Sequence, residues 1–195
     1  MNEMSTPAKA VLMAAATLMI GFSTLASSRG NDFKPNSRLI ARGDSSLAYS
    51  ALTYIRWPQE SFDKEDSPFV LGVLGKPSAA HEKLLASYSD GKKQIQGRSV
   101  QIRRCEDSSQ AGSCHALLVT QACPDAQVQN ALRVVRGKSV LTIGETGEFA
   151  ESGGVLSVVK DGQDSFLELN QSAAKRQRLK VDVRLVNLSV LVQER

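Results

Sequence analysis

Residues 68–75 read Pro-Phe-Val-Leu-Gly-Val-Leu-Gly, an unbroken apolar run of strand length. A strand wetted on one face alternates apolar and polar residues, whereas a run with no polar member needs cover on both faces. His115-Ala-Leu-Leu-Val-Thr120 and Ser139-Val-Leu-Thr-Ile143 repeat the pattern, and Val100-Gln-Ile-Arg-Arg104 is a shorter alternating strand. Helical segments separate them. Ala79–Tyr88 is one, and Asp125–Val135 is another, with Val128, Leu132 and Val135 on one face. Strand–helix alternation implies parallel pairing with right-handed crossovers and helices on both faces. The pattern changes after Gly144. Val155–Val159 and Ser165–Leu169 flank Asp161-Gly162, a short-range hairpin signal. The fold class expected is therefore α/β: a three-layer sandwich with a mostly parallel sheet flanked by helices and a late antiparallel hairpin.

The N-terminus constrains the compartment. Ala10 to Phe22 carries no charge and is followed by the small residues Ser23-Thr-Leu-Ala-Ser-Ser28. At about 13 residues the run is too short to cross a ~30 Å hydrocarbon core as a helix. A polar start, an apolar middle and a small-residue exit form the layout of a cleaved secretory signal peptide. The organisation expected is a signal peptide over 1–26, an extended lead-in over 27–44 and one domain over 45–195, located in the periplasm. Asp44-Ser-Ser46 supplies capping oxygens to a helix that Pro58 stops, because the residue before a proline is pushed to extended geometry.

Charge and composition exclude more than they assign. The chain has 24 Lys and Arg against 20 Asp and Glu, a net charge of +4, and only 5% aromatic residues. That balance is too weak for a nucleic-acid partner without a dense patch, and the aromatics are too few for a base-stacking platform. The densest basic cluster is Lys175, Arg176, Arg178, Lys180 and Arg184, which suits an acidic partner or anionic lipid headgroups, and suits a solvated helix face at least as well. Gly72-Val-Leu-Gly75-Lys76-Pro77-Ser78 lacks the spacing of a phosphate loop and reads as a strand-ending turn. Two histidines are the minimum for acid–base or zinc chemistry. Adjacent Cys114 and His115 point to opposite faces of a strand, so no metal site is expected. With no nucleophile elbow and no carboxylate pair placed for catalysis, the chain reads as a non-enzyme without a cofactor. Glu145, Glu148 and Glu151 read as the rim of a loop.

Three cysteines in an exported chain favour one disulfide and one remaining thiol. In a parallel sheet Cys105 and Cys123 both follow C-terminal strand ends, while Cys114 opens its strand at the other edge. A bridge needs Cα atoms within ~7 Å, so this arithmetic favours Cys105–Cys123. Cys105–Cys114 is the alternative if the 107–113 loop folds back.

A further pattern lies in Ser50-Ala-Leu-Thr-Tyr54-Ile-Arg56-Trp57-Pro58, a helix ending in Tyr-x-Arg-Trp-Pro before an apolar strand. With Cys114 opening the third strand, Gly137-Lys-Ser-Val-Leu-Thr-Ile143, Gly153-Gly154 before the hairpin and Phe166-Leu-Glu-Leu-Asn170 after it, the chain resembles the YfiR-like family of exported proteins. The resemblance implies a repressor that binds the periplasmic domain of an inner-membrane diguanylate cyclase and lowers cyclic di-GMP and biofilm formation. It also implies sequestration by an outer-membrane lipoprotein and a homodimer. Two features depart from the family. The loop Glu145–Ser152 has no cysteine where the well-studied members carry a disulfide, and Gly72 stands near the expected partner of Cys114. Redox control of the kind proposed for those members is therefore not carried over.

Tyr54, Arg56, Trp57 and Pro58, with Arg176 and Arg178 of the basic cluster, are the candidate partner-binding residues. For Trp57-Pro58, packing of the helix end onto the sheet is favoured over direct contact, since family signatures are more often core. The alternative function is a periplasmic small-ligand sensor or solute-binding domain. Its crevice would lie at the strand C-termini, where Gly75, Thr120–Cys123 and Gly144-Glu145 fall.

Overall fold

A computed structural model describes residues 44–91 and 93–195. The signal peptide expected over 1–26 and residues 27–43 of the expected lead-in lie outside the described residues, and Asp44 already begins the first helix. In chain order, α1 (Asp44–Ala51) passes through a 3-10 turn (Leu52–Tyr54) into β1 (Ile55–Arg56). After a second turn come β2 (Phe69–Leu74), α2 (Ala79–Ser89), β3 (Gln94–Ile95) and β4 (Arg98–Cys105). A 3-10 segment (Ser108–Ser113) leads to β5 (Ala116–Val119), α3 (Asp125–Val135), β6 (Leu141–Gly144), β7 (Leu156–Asp161) and β8 (Asp164–Leu169). The chain ends with α4 (Gln171–Arg176), β9 (Lys180–Val181), α5 (Val183–Leu188) and β10 (Ser189–Leu191).

Eight strands form one sheet in the order β10-β8-β7-β6-β5-β2-β4-β3. The run β4-β2-β5-β6-β7 is parallel throughout, β7 and β8 form the antiparallel hairpin, and β10 returns parallel to β8. This is the expected α/β architecture. The hairpin turn is Gly162-Gln163, one residue later than the Asp161-Gly162 signal. Asp161 still pairs with Asp164, and Gly162 takes the left-handed φ of +61°.

The continuous apolar run of β2 serves two cores through the period-2 pleat. Phe69, Leu71 and Val73 join a core with Leu47 and Ala51 of α1, Leu85 of α2, Ala174 of α4 and Leu185 of α5. Val70 and Leu74 face the other core, with Ala131 and Val135 of α3 and all three cysteines. Leu47, Leu71, Leu117, Leu118 and Leu141 are among the fully buried side chains, each contributing about 1.5–3 kcal/mol of apolar burial. The helices start where oxygens cap them. Ser78 Oγ accepts from His81 N in α2, Asn170 Oδ1 from Ala173 N in α4, and Asp182 Oδ1 from Arg184 N in α5.

No helix among the described residues is long and apolar enough to cross a membrane.

Candidate partner-binding surface

The strand β1 is only two residues long, yet it decides where the signature segment goes. It pairs antiparallel with β9, Ile55 opposite Val181 and Arg56 opposite Lys180, and Asp182 N donates to Tyr54 O at 2.8 Å. The Tyr-x-Arg-Trp-Pro segment and the basic cluster, far apart along the chain, are thereby one surface. No spacing along the chain joins the two; only the pairing of β1 with β9 does.

On this surface the side chains divide by burial. Trp57 is 4% exposed, its ring edge-on to Phe69 at 4.7 Å, its Nε1–H donating to His115 O at 2.8 Å. It packs the helix end onto the sheet. Its backbone N–H donates to Gln96 Oε1, from the turn between β3 and β4. Pro58 is half-buried. Arg56 is exposed and donates to the carbonyls of Thr53 and Ile55. Tyr54 is half-buried beneath the Arg184 guanidinium, which lies 5.2 Å from its ring centre.

Arg176 and Arg178, adjacent in the cluster, have different surroundings. Arg176 donates to Glu194 at 2.7 Å and reaches Gly153 O, so it fastens the C-terminal residues to the loop before β7. Arg195 acts beside it, paired with Glu151 at 3.0 Å. Arg178 is exposed, in the left-handed conformation just past α4. Arg56, Arg178 and Lys180 make no ion pair among the described residues, and Arg184 pairs with Asp182 at 2.7 Å. Hydrogen bonds from Arg184, aided by the Arg56 charge, hold the Asp182 carboxyl down to about 2. Among the described residues, Asp182 is thus the one carboxylate ion-paired to any of these four cations. Arg56 directly opposite Lys180 is a like-charge cross-strand pair, which destabilises a ribbon in isolation. An anionic surface laid across the ribbon would relieve it.

At the C-terminal edge of the parallel strands lies a second polar group. His81 Nε2 bonds Glu145 Oε1 at 3.0 Å, and Gln121 N donates to Glu145 Oε2 at 2.9 Å. Burial alone would raise the Glu145 carboxyl, but the bonds from His81 and Gln121 outweigh it and lower it. The sequence reading of Glu145 as a solvated rim is corrected: it is 16% exposed and ties β6 to α2 and to the loop after β5. Beside it is a cavity of about 230 Å³ lined by Thr120, Cys123, Asp125, Glu148 and Phe149 among others. That is smaller than the ~300–1,000 Å³ of ordinary small-molecule sites.

The loop over the second core is held without cysteines. The Phe149 ring lies between Gly144 and Gly154, where a methyl group at either position would overlap it. Ala150 N donates to Ser157 Oγ, Val155 N to Thr142 Oγ1, and Asn170 Nδ2 to Ala150 O. Those buried hydroxyls on β6 and β7 have the loop backbone as partners.

His115 is structural. Its Nδ1 accepts from Val70 N at 2.8 Å, its Nε2 bonds Ser61 O at 3.0 Å, and its ring stacks on Phe62. Burial lowers its pKa and favours the neutral ring. Cys114 does not converge with it, for its thiol faces Gly72. Cys105 and Cys123, favoured as a pair by strand-edge position, are not the thiols that approach each other here. The 107–113 loop folds back as the 3-10 segment and sets Cys114 Sγ 4.0 Å from Cys105 Sγ, while Cys123 lies against Gly75 and the start of α3.

Among curated proteins none matches the chain. Of solved structures, a conserved domain protein from Vibrio cholerae O1 biovar eltor aligns at 11% identity and a TM-score of 0.44. That alignment covers 63% of this chain and 54% of that one. The sequence profile of the YfiR/HmsC-like family matches residues 44–190, from the first turn of α1 into β10. The chain with the Tyr54–Pro58 signature folded against β9 belongs to the YfiR/HmsC-like family.

Proposed function

We propose that this protein is an exported, protein-binding regulator that holds the periplasmic domain of an inner-membrane diguanylate cyclase inactive, lowering cyclic di-GMP and surface attachment. Family membership supports a periplasmic regulatory role. The observation that carries the docking site is the like-charged ribbon, with Arg56 facing Lys180 and exposed Arg178 and Arg184 beside it. In this reading an acidic face of the cyclase covers the ribbon, and an outer-membrane lipoprotein competes for the regulator. A homodimer presents two such faces. Repression requires tighter binding to the inactive cyclase, by about 2.7 kcal/mol for a hundredfold shift.

Deleting the gene should raise cyclic di-GMP and attachment, and deleting the cyclase as well should cancel the rise. Arg178→Glu with Lys180→Glu should reproduce the deletion while the envelope level of the protein is unchanged. Arg176 is unsuited to this test, because its reversal would also break the contact to Glu194. An expressed protein whose deletion leaves cyclic di-GMP unchanged would overturn the repressor reading in favour of ligand sensing at the strand C-termini.

A further inference from the structure

Cys105 ends β4 opposite Leu74, and Cys114 closes the 3-10 segment two residues before β5, so the two approach β2 from the sides of its two neighbouring strands. Side chains on strands separated by a third are ordinarily kept apart by the residue between them. Here that residue is Gly72. A Cβ at Gly72 would lie 2.5 Å from Cys114 Sγ and 3.3 Å from Cys105 Sγ. With hydrogen in its place, the two sulfurs approach to 4.0 Å across the strand. Both are buried, at 7% and 5% exposure, within the apolar core that α3 covers. The loop that carries Cys114 is set by its own bonds: Asp107 caps the 3-10 segment, Arg103 donates to Ser113 O, and Cys114 N donates to Ala111 O. Cys123 makes no such approach. Its Sγ points to Pro124 O and Gln127.

We propose that Cys105 and Cys114 are a disulfide-forming pair, joined over Gly72, and that Cys123 is the remaining thiol. The oxidant is a disulfide of the thiol-exchange class, either an oxidised dithiol protein or glutathione disulfide. Cys105, held at the end of β4 while the loop carrying Cys114 is open, is the attacking group. Its thiolate displaces one thiol from the oxidant and gives a mixed disulfide. Cys114 then loses its proton, attacks Cys105 Sγ and expels the second thiol. In sum two protein thiols give up two protons and two electrons, and the oxidant's disulfide becomes two thiols. Because the folded loop buries both sulfurs, the exchange occurs while the 107–113 segment is still open.

The test is independent of export and of the regulatory reading, since it uses the purified full chain. The chain is unfolded, refolded in glutathione buffer poised oxidising, quenched in acid and alkylated in denaturant. Trypsin leaves all three cysteines on one peptide, Cys105 to Arg133. Digestion instead combines cleavage after Glu106 with chymotryptic cleavage at Leu117-Leu118. Expected is a peptide ending Cys105-Glu106 linked to one spanning Asp107–Leu117, lighter by two hydrogens than the reduced pair, with Cys123 alkylated. Cys123→Ser should keep the link, and Cys114→Ser should abolish it. A link that includes Cys123, a glutathione adduct on Cys105 with Cys114 alkylated, or two alkylated thiols in a chain with native circular dichroism would each overturn the proposal.

Discussion

At Phe149 one aromatic ring lies between two residues that have no side chain, Gly144 and Gly154, and so holds the loop onto the sheet. The ring is 3% exposed in a core otherwise made of aliphatic and cysteine side chains. Removing it leaves a cavity the flanking backbone cannot fill, because that backbone is hydrogen-bonded to Thr142 and Ser157. Phe149→Ala should lower unfolding free energy by about 3–5 kcal/mol, read as a shift in urea midpoint with an unchanged slope. Glu145 makes a pH-dependent contribution. Its folded pKa lies below the ordinary carboxylate value, so the stability it adds is complete above the unfolded pKa and is lost as pH falls through the folded one. Melting temperatures measured from about pH 6 to about pH 3 should therefore fall less steeply in Glu145→Gln than in the parent.

Among elements, the β1–β9 ribbon sets the placement of the most charge from the fewest residues. Arg56 faces Lys180 because Tyr54 O and Asp182 N fix the register. Lys180→Glu replaces a like-charge pair with an opposite-charge pair and should stabilise the fold by about 0.2–1 kcal/mol. If the ribbon is the docking site, the same substitution weakens repression, so thermal stability and cyclic di-GMP control should move in opposite directions. A purely structural ribbon would show the first effect without the second. α3 is the contrasting case. Its apolar positions Val128, Ala131, Leu132 and Val135 recur at helical spacing, and the structure reproduces the expected Asp125–Val135 boundaries. Its identity needs no partner, whereas a two-residue strand exists only through the segment it pairs with.

For the whole fold, one mixed, mostly parallel sheet separates two cores, the larger beneath α1, α2, α4 and α5 and the smaller beneath α3. The division was legible in the residues. Runs such as 68–75 lack any polar member, and the physical demand for cover on both faces follows from that alone. The hairpin, α2 and α3 followed from turn chemistry and helical period, which act over a few residues. Expectations weakened where contacts are distant. The closing segment 181–192 reads as one apolar stretch, yet it breaks into β9, α5 and β10 because β1 and β8 offer it different partners. The union of Tyr54–Pro58 with Lys180, the partnering of Glu145 by His81, and the meeting of Cys105 with Cys114 over Gly72 share that origin. Local sequence thus determined which segments are strands or helices and which faces are apolar, since pleat, helical pitch and turn residues are short-range. Only the tertiary structure decided which charges share a surface and which thiols meet, because strand order and register set distances between residues that no spacing along the chain encodes.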